Sequence, residues 1–289
     1  GFNVTFVGHL LFRSPYIDFL IIKGGVIMGT KKKIGLGVAS AALGLALVGG
    51  GTWAAFNDIE STHATYAAGT LDLNAKETSA RVNLSNLKPG DKFKKEFTFK
   101  NDGSLAIKEV LMQMGFSNFV DGNAKNGGKN SAEDFLKQFK VSVLTVGVEG
   151  GNGYPKNIIL DSANLYDLYN MSVKKDKASM DKVKKLIEPG FLHDNGKINV
   201  ATINGKTAPE YDGIPKDPYD FDKVEMVIEF VNDTTTDSNG NMVQNKYQGD
   251  SVQLDFSFEA TQWNGLTIDG NKHADEKGYV KENERAHSE

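Results

Sequence analysis

The clearest signal along the chain is a two-residue alternation of apolar and polar side chains, the pattern of a half-buried strand. Val252, Leu254, Phe256 and Phe258 alternate with Gln253, Asp255, Ser257 and Glu259 in "VQLDFSFEA", the cleanest two-faced strand in the sequence. The same period runs through Val224, Met226, Ile228 and Phe230 and through Val110, Met112, Met114 and Phe116. It recurs more briefly at Phe97 and Phe99 and at Val82 and Leu84. Turn chemistry punctuates these blocks at Pro89-Gly90-Asp91 and in "NDGS" at residues 101–104. A sheet with one apolar face buries it most often against a second sheet. The pattern therefore predicts a mainly β chain, an antiparallel β-sandwich.

The middle of the chain carries helical spacing instead. In "SAEDFLKQF", Ser131 is a candidate N-cap with Asp134 three residues on, followed by Phe135, Leu136 and Phe139 on one face. "SANLYDLYNM" and "KASMDKVKKLIEPG" predict two more short helices, the second stopped by Pro189-Gly190. Polar connectors such as "VEGGNGYPKN" and "NDTTTDSNGNMVQNKYQGD" separate these elements. Residues 267–289 offer little to bury and are expected to form a flexible tail, leaving 55–266 as the sandwich domain.

The first 54 residues follow a different logic. Lys31, Lys32 and Lys33 precede an uncharged apolar run, and Thr52-Trp53-Ala54 places small residues at −3 and −1 of a cleavage point. Residues 28–54 thus read as a signal peptide cut between Ala54 and Ala55. A transmembrane anchor is the rival, since residues 34–55 are as long as the roughly 20 needed to span a bilayer. Glycines at 35, 37, 44 and 49–51 weaken such a helix. "KGGVIM" before the start-like Met28 resembles a ribosome-binding sequence translated in frame. Residues 1–27 are therefore expected to be an over-extended start, with a genuine apolar anchor as the alternative.

Export changes the charge. Removing the five Lys/Arg and one Asp of residues 1–54 from the chain's 33 and 37 leaves 28 and 36, a formal charge of −8. An acidic chain without a basic stripe argues against nucleic acid as a partner. The absence of cysteine excludes disulfides, zinc thiolates and thiol nucleophiles together.

Motifs for catalysis are weak. None of His9, His63, His193, His273 and His287 lies in an H-E-x-x-H helix, and no G-x-S-x-G, G-x-G-x-x-G or P-loop pattern occurs. Asp233, Asp237, Asn239 and Asn241 resemble the first ligands of a calcium loop. Met242 stands where the sharp turn needs glycine, and Gln248 where a bidentate Glu would close the site. A hydrated hairpin loop is the better reading, and the cluster Asp212, Asp217, Asp220 and Asp222 is discounted in the same way. The sequence predicts no catalytic residues, no metal and no cofactor.

Several longer strings carry a resemblance: "KKKIGLGVASAALGLALVGGGTWAAFND", "AAGTLDL", "NLSNLKPGDKF", "NDGSLAIKEV", "GNGYPKNIILD", "NVATINGKTAPEYDG" and "FEATQWNGL". Together they make the chain from Met28 onward similar to the TasA/camelysin family of spore-forming bacteria. The resemblance implies a jelly-roll sandwich and cleavage near Ala54 by a dedicated signal peptidase. It further implies secretion into the biofilm matrix, association with spores, and homopolymerisation into amyloid-like or donor-strand-linked fibres with an accessory anchoring protein. The family also carries a metallo-endopeptidase label, for which this chain shows no recognisable zinc-ligand set. A secreted metallopeptidase and a monomeric surface adhesion module are the rival functions.

After cleavage the chain would begin "AFNDIESTHATYAAGTLDL", with Phe56 and Ile59 among polar residues and no clear turn before Gly69. Such a segment can be extended and leave its own subunit. Phe56, Asn57, Asp58 and Ile59 are the expected assembly strand, adding to an open sheet edge of a second copy. The membrane is then a partner only before cleavage.

Overall fold

All five alternating runs lie in strands of the computed structural model, which describes residues 58–59, 73–75, 81–122, 129–149, 152–153, 157–269, 272 and 281–287. The expected leader, the cleavage pair Ala54 and Ala55, and Phe56 and Asn57 lie outside the described residues. In chain order the strands are β1 (Asp58–Ile59), β2 (Leu73–Ala75), β3 (Arg81–Leu84), β4 (Lys92–Asn101), β5 (Ile107–Val120) and β6 (Phe139–Glu149). They continue with β7 (Asn152–Gly153), β8 (Asn157–Asn164), β9 (Ile198–Asn199), β10 (Phe221–Phe230) and β11 (Ser251–Gln262). Three short helices, α1 (Ala132–Leu136), α2 (Leu165–Tyr169) and α3 (Lys177–Val183), fall in the middle.

The strands form two antiparallel sheets. In the first, β11 lies between β5 and the pair β1 and β3, and β9 adds to β5; in the second the order is β2-β4-β10-β6, with β7 and β8 on β6. The inner rows meet as the alternation requires. The Phe97 ring of β4 packs on Phe256 and Phe258 of β11 at 6.0 and 5.0 Å, and Phe99 on Phe258 at 4.8 Å. These edge-to-face contacts add to the burial of the rings. The outer row of the second sheet is a charge ladder: Lys92–Glu229 at 3.3 Å, Lys94–Glu225 at 3.3 Å and Lys223–Glu96 at 3.7 Å. One face is dry and the other wet, so register is set wherever β4 and β10 pair.

The mid-chain departs from expectation in places with identifiable causes. α1 starts as read, with Ser131 Oγ accepting the Asp134 N–H at 3.1 Å. It stops at Leu136, however, and Phe139 opens β6 opposite Phe230. The connector "VEGGNGYPKN" is corrected as well: it contains the end of β6, all of β7 and the start of β8. Ser162–Asn164, expected to open a helix, instead close β8, and Asn164 Oδ1 caps α2 through the Tyr166 N–H at 3.0 Å. A π turn over Asn170–Lys174 follows α2. α3 ends at Val183, short of Pro189-Gly190.

The end of the chain, expected to be free, makes definite contacts. Asn283 O accepts the Ala106 N–H at 2.7 Å, and Glu284 O accepts the N–H groups of Lys216 and Asp217 at 2.8 and 3.0 Å.

Candidate assembly edge

β11 is fully paired on one side only. β5 follows it from Ser251 to Gln262. On the opposite side β3 covers Val252–Asp255 and β1 covers Glu259 and Ala260 (Asp58 opposite Ala260, Ile59 opposite Glu259). Between them Phe256, Ser257 and Phe258 have no strand neighbour on that side among the described residues. The structure thus places two of the four expected assembly residues, Asp58 and Ile59, on the edge of the expected core strand of the same chain. Their hold is a two-residue ladder, with Lys197 gripping the Glu259 carboxylate from the outer face.

Two of the other margins, those of β5 and β8, are backed by further segments. β5 is backed by β9 at Leu111 and Met112 and by the Ser172 hydroxyl, which donates to Met114 O at 3.1 Å. β8 is backed by the segment after α3: Leu186 O accepts the Asp161 N–H at 3.0 Å, and the Glu188 N–H donates to Ile159 O at 2.8 Å. β4 is paired on its outer side by β2 at Phe99–Asn101 alone, among the described residues. Its run of Lys92, Lys94 and Lys95 suits an edge strand, since lysines discourage indiscriminate pairing. The lightly covered side of the sandwich is therefore the one along which β1, β2 and β3 run.

The residues weighed for metal binding have local duties. Asp237 Oδ1 accepts the N–H groups of Asn239 and Asn241 at 2.8 and 2.9 Å, and Asp233 Oδ1 accepts that of Thr235 at 2.9 Å. These bonds hold both carboxyls below the usual range. They close a hairpin whose stem is the Thr236–Met242 bridge. In the second cluster, buried Asp222 accepts the N–H and hydroxyl of Thr202, each at 2.6 Å. Asp212 ties the N–H of Gly205 at 2.9 Å, Asp217 pairs with Arg285 at 3.0 Å, and Asp220 accepts the Phe221 N–H at 2.8 Å. His193 Nδ1 accepts from the Asn195 N–H at 3.3 Å. Among the described residues no three His, Cys, Asp or Glu side chains converge as a metal would require. His63 and His273 lie outside them.

One acidic pair escapes sequence reading because its members are far apart in the chain. Buried Asp250 accepts the Gly122 N–H and the Asn130 amide, each at 3.0 Å, beside Asp121. Burial, as the main cause, and the neighbouring Asp121 carboxyl push Asp250 above the usual carboxylate range. A raised folded-state value favours the protonated form, so this group's stabilisation is full below the unfolded value of 3.8 and is lost as pH rises through the folded one. Asp121→Asn removes the like charge. Its thermal midpoint is expected to fall less than that of the parent between pH 4 and pH 7, as read in a melting series; identical pH profiles would show that the pair is not coupled.

The model of the family described as "Camelysin metallo-endopeptidase" matches residues 29–267. A protein of Bacillus subtilis (strain 168) described as "Major biofilm matrix component" is 69% identical over 262 residues, covering 91% of this chain and 99% of that protein. The match extends over nearly all of the relative, and both sheets of the sandwich lie within the residues the family model covers. On these grounds the chain belongs to the camelysin family.

Proposed function

We propose that residues 55–289, released from the leader at Ala54–Ala55, are a secreted structural subunit that polymerises into extracellular biofilm matrix fibres. The observation that carries this reading is the β11 edge: a two-residue strand near the start of the domain sits on it, beside a three-residue stretch with no strand neighbour among the described residues. Exchange of that strand between copies would satisfy the same main-chain groups in trans, with apolar side chains giving register. The role of the Bacillus subtilis relative, as its description states it, supports the matrix setting. The fibres would lie in the matrix and at the cell or spore surface, with the signal peptidase and an accessory anchoring protein as partners.

The test compares the exported protein with a variant beginning at Thr65, by electron microscopy and sedimentation. The full protein is expected to form filaments and the truncated one to remain monomeric. Identical filaments from both would refute the role of residues 55–64. The family description also names a metallo-endopeptidase. Casein cleavage that a chelator abolishes, and that is lost in His63→Ala or His193→Ala, would establish that activity instead.

A further inference from the structure

The docked end of the chain stands in a telling place. Ile107 exchanges both main-chain bonds with Ile214, donating at 3.1 Å and accepting at 2.9 Å. Neighbouring residues of an extended chain turn their main-chain groups to opposite sides, so the Ala106 N–H faces the lane of β11. There β11 has already ended: Gln262 opposes Ile107, and Trp263 follows outside the strand. Asn283 O takes the Ala106 N–H in its stead at 2.7 Å. Arg285 clasps Asp217 Oδ2 through Nε at 3.2 Å and Nη2 at 3.0 Å, and His287 sets its ring edge-on to the Trp263 indole, centroids 6.1 Å apart. The C-terminal segment, a 3-10 turn over Glu282–Glu284 and the residues after it, thus stands at the end of the β11 lane.

A strand added to the open side of β11 runs past this point. In the register of β1, Asp58 opposes Ala260 and Ile59 opposes Glu259. Continued toward its own start, such a strand passes Thr261 and Gln262 and reaches Trp263, beside the docked segment, with residue 55, the first after the proposed cleavage. We propose that residues 283–287, with Trp263, form the far end of the surface on which the N-terminal strand of a second copy docks. The segment closes the end of that lane with a 3-10 turn over Glu282–Glu284, so it meets the start of an incoming strand. This inference rests on the strand-addition reading above. It makes the last residues of the chain a part of the acceptor, although the family model ends at residue 267.

The experiment compares the exported protein with a variant ending at Val280 and with the set Asp217→Arg, Arg285→Asp and their combination. Trp263 is the sole tryptophan of residues 55–289, so a red shift of its emission reports undocking of the segment. The truncated protein is expected to keep its far-ultraviolet spectrum, to show the red shift, and to need about tenfold more protein to form filaments. That is the effect of losing one or two net hydrogen bonds at a contact. Each single charge change should weaken assembly in the same direction and the double swap should restore it. Unchanged or easier assembly of both the truncated protein and the single charge variants overturns the inference. Should the truncated variant fail to fold, the charge-swap set decides alone. A parent protein that forms no filaments at all instead overturns the strand-addition reading on which the inference rests.

Discussion

Phe256→Ala is expected to leave little folded exported protein. Phe256 is 5% exposed on the inner row of β11, and its ring meets Phe97 across the sandwich at 6.0 Å. Truncating a buried aromatic costs about 3–5 kcal/mol, the transfer of the ring plus the cavity it leaves. A domain's whole stability is about 5–15 kcal/mol, so the variant would sit near its unfolding threshold at growth temperature. The matched control is Ser257→Ala, one residue along and exposed on the outer row. Gln253, the outward residue that the alternation alone would recommend, is a poorer control, because its amide donates to Ser117 Oγ at 3.0 Å and to Asp255 Oδ1 at 2.6 Å. Secreted yield and thermal midpoint should separate the two variants sharply; equal midpoints would mean that the faces of β11 are assigned the wrong way round.

The control illustrates what the sequence could and could not reveal. β11 was legible because every inward residue from Val252 to Phe258 is apolar and every outward one polar. β6 carries an alternation of its own in Phe139, Val141, Val143 and Thr145, all buried. It was masked because Phe135, Leu136 and Phe139 also fit a helical face, and α1 happens to end between them. β8 had no such signal to give. Ser162 adopts a positive φ of 52°, and the pairing with β6 slips on both sides of Val143. Ile159 and Leu160 are consequently both buried in succession, which destroys the period of two.

An extended N-terminal segment was partly legible and the strand it pairs with was not. A run of polar and apolar residues without a turn points to an extended N-terminal strand, and Asp58 and Ile59 are in a strand. That they share β11 with β3 is a matter of pairing between distant parts of the chain, which local pattern does not encode. The docking of residues 283–287 was similarly hidden: it depends on main-chain carbonyls, one exposed ion pair and one ring contact, none of which leaves an apolar period.

Gly213→Ala should be strongly damaging for a substitution of a single methyl group. Gly213 has φ +68°, in the left-handed region, and a Cβ there would stand 2.1 Å from Ile107 O and 2.7 Å from Lys108 O. Both are main-chain atoms of β5, so no side chain can swing away to make room. The left-handed conformation costs a non-glycine residue roughly 1–2 kcal/mol, and forcing extra volume into a packed site adds about 1–3 kcal/mol. For a domain of this size each kcal/mol lowers the midpoint by about 2–4 °C, so a fall of about 10 °C is expected. Gly205→Ala isolates the first contribution, since Gly205 has φ +55° but nothing within 4 Å of the added carbon. Its loss should be about half as large or less. The difference between the two variants measures the close approach that holds Ile214 against Ile107, the same pairing that turns the Ala106 N–H toward the C-terminal segment. If both variants melt together, the crowding at Gly213 is relieved by a loop shift, and the Trp263 emission of the Gly213 variant should then change as that segment lets go.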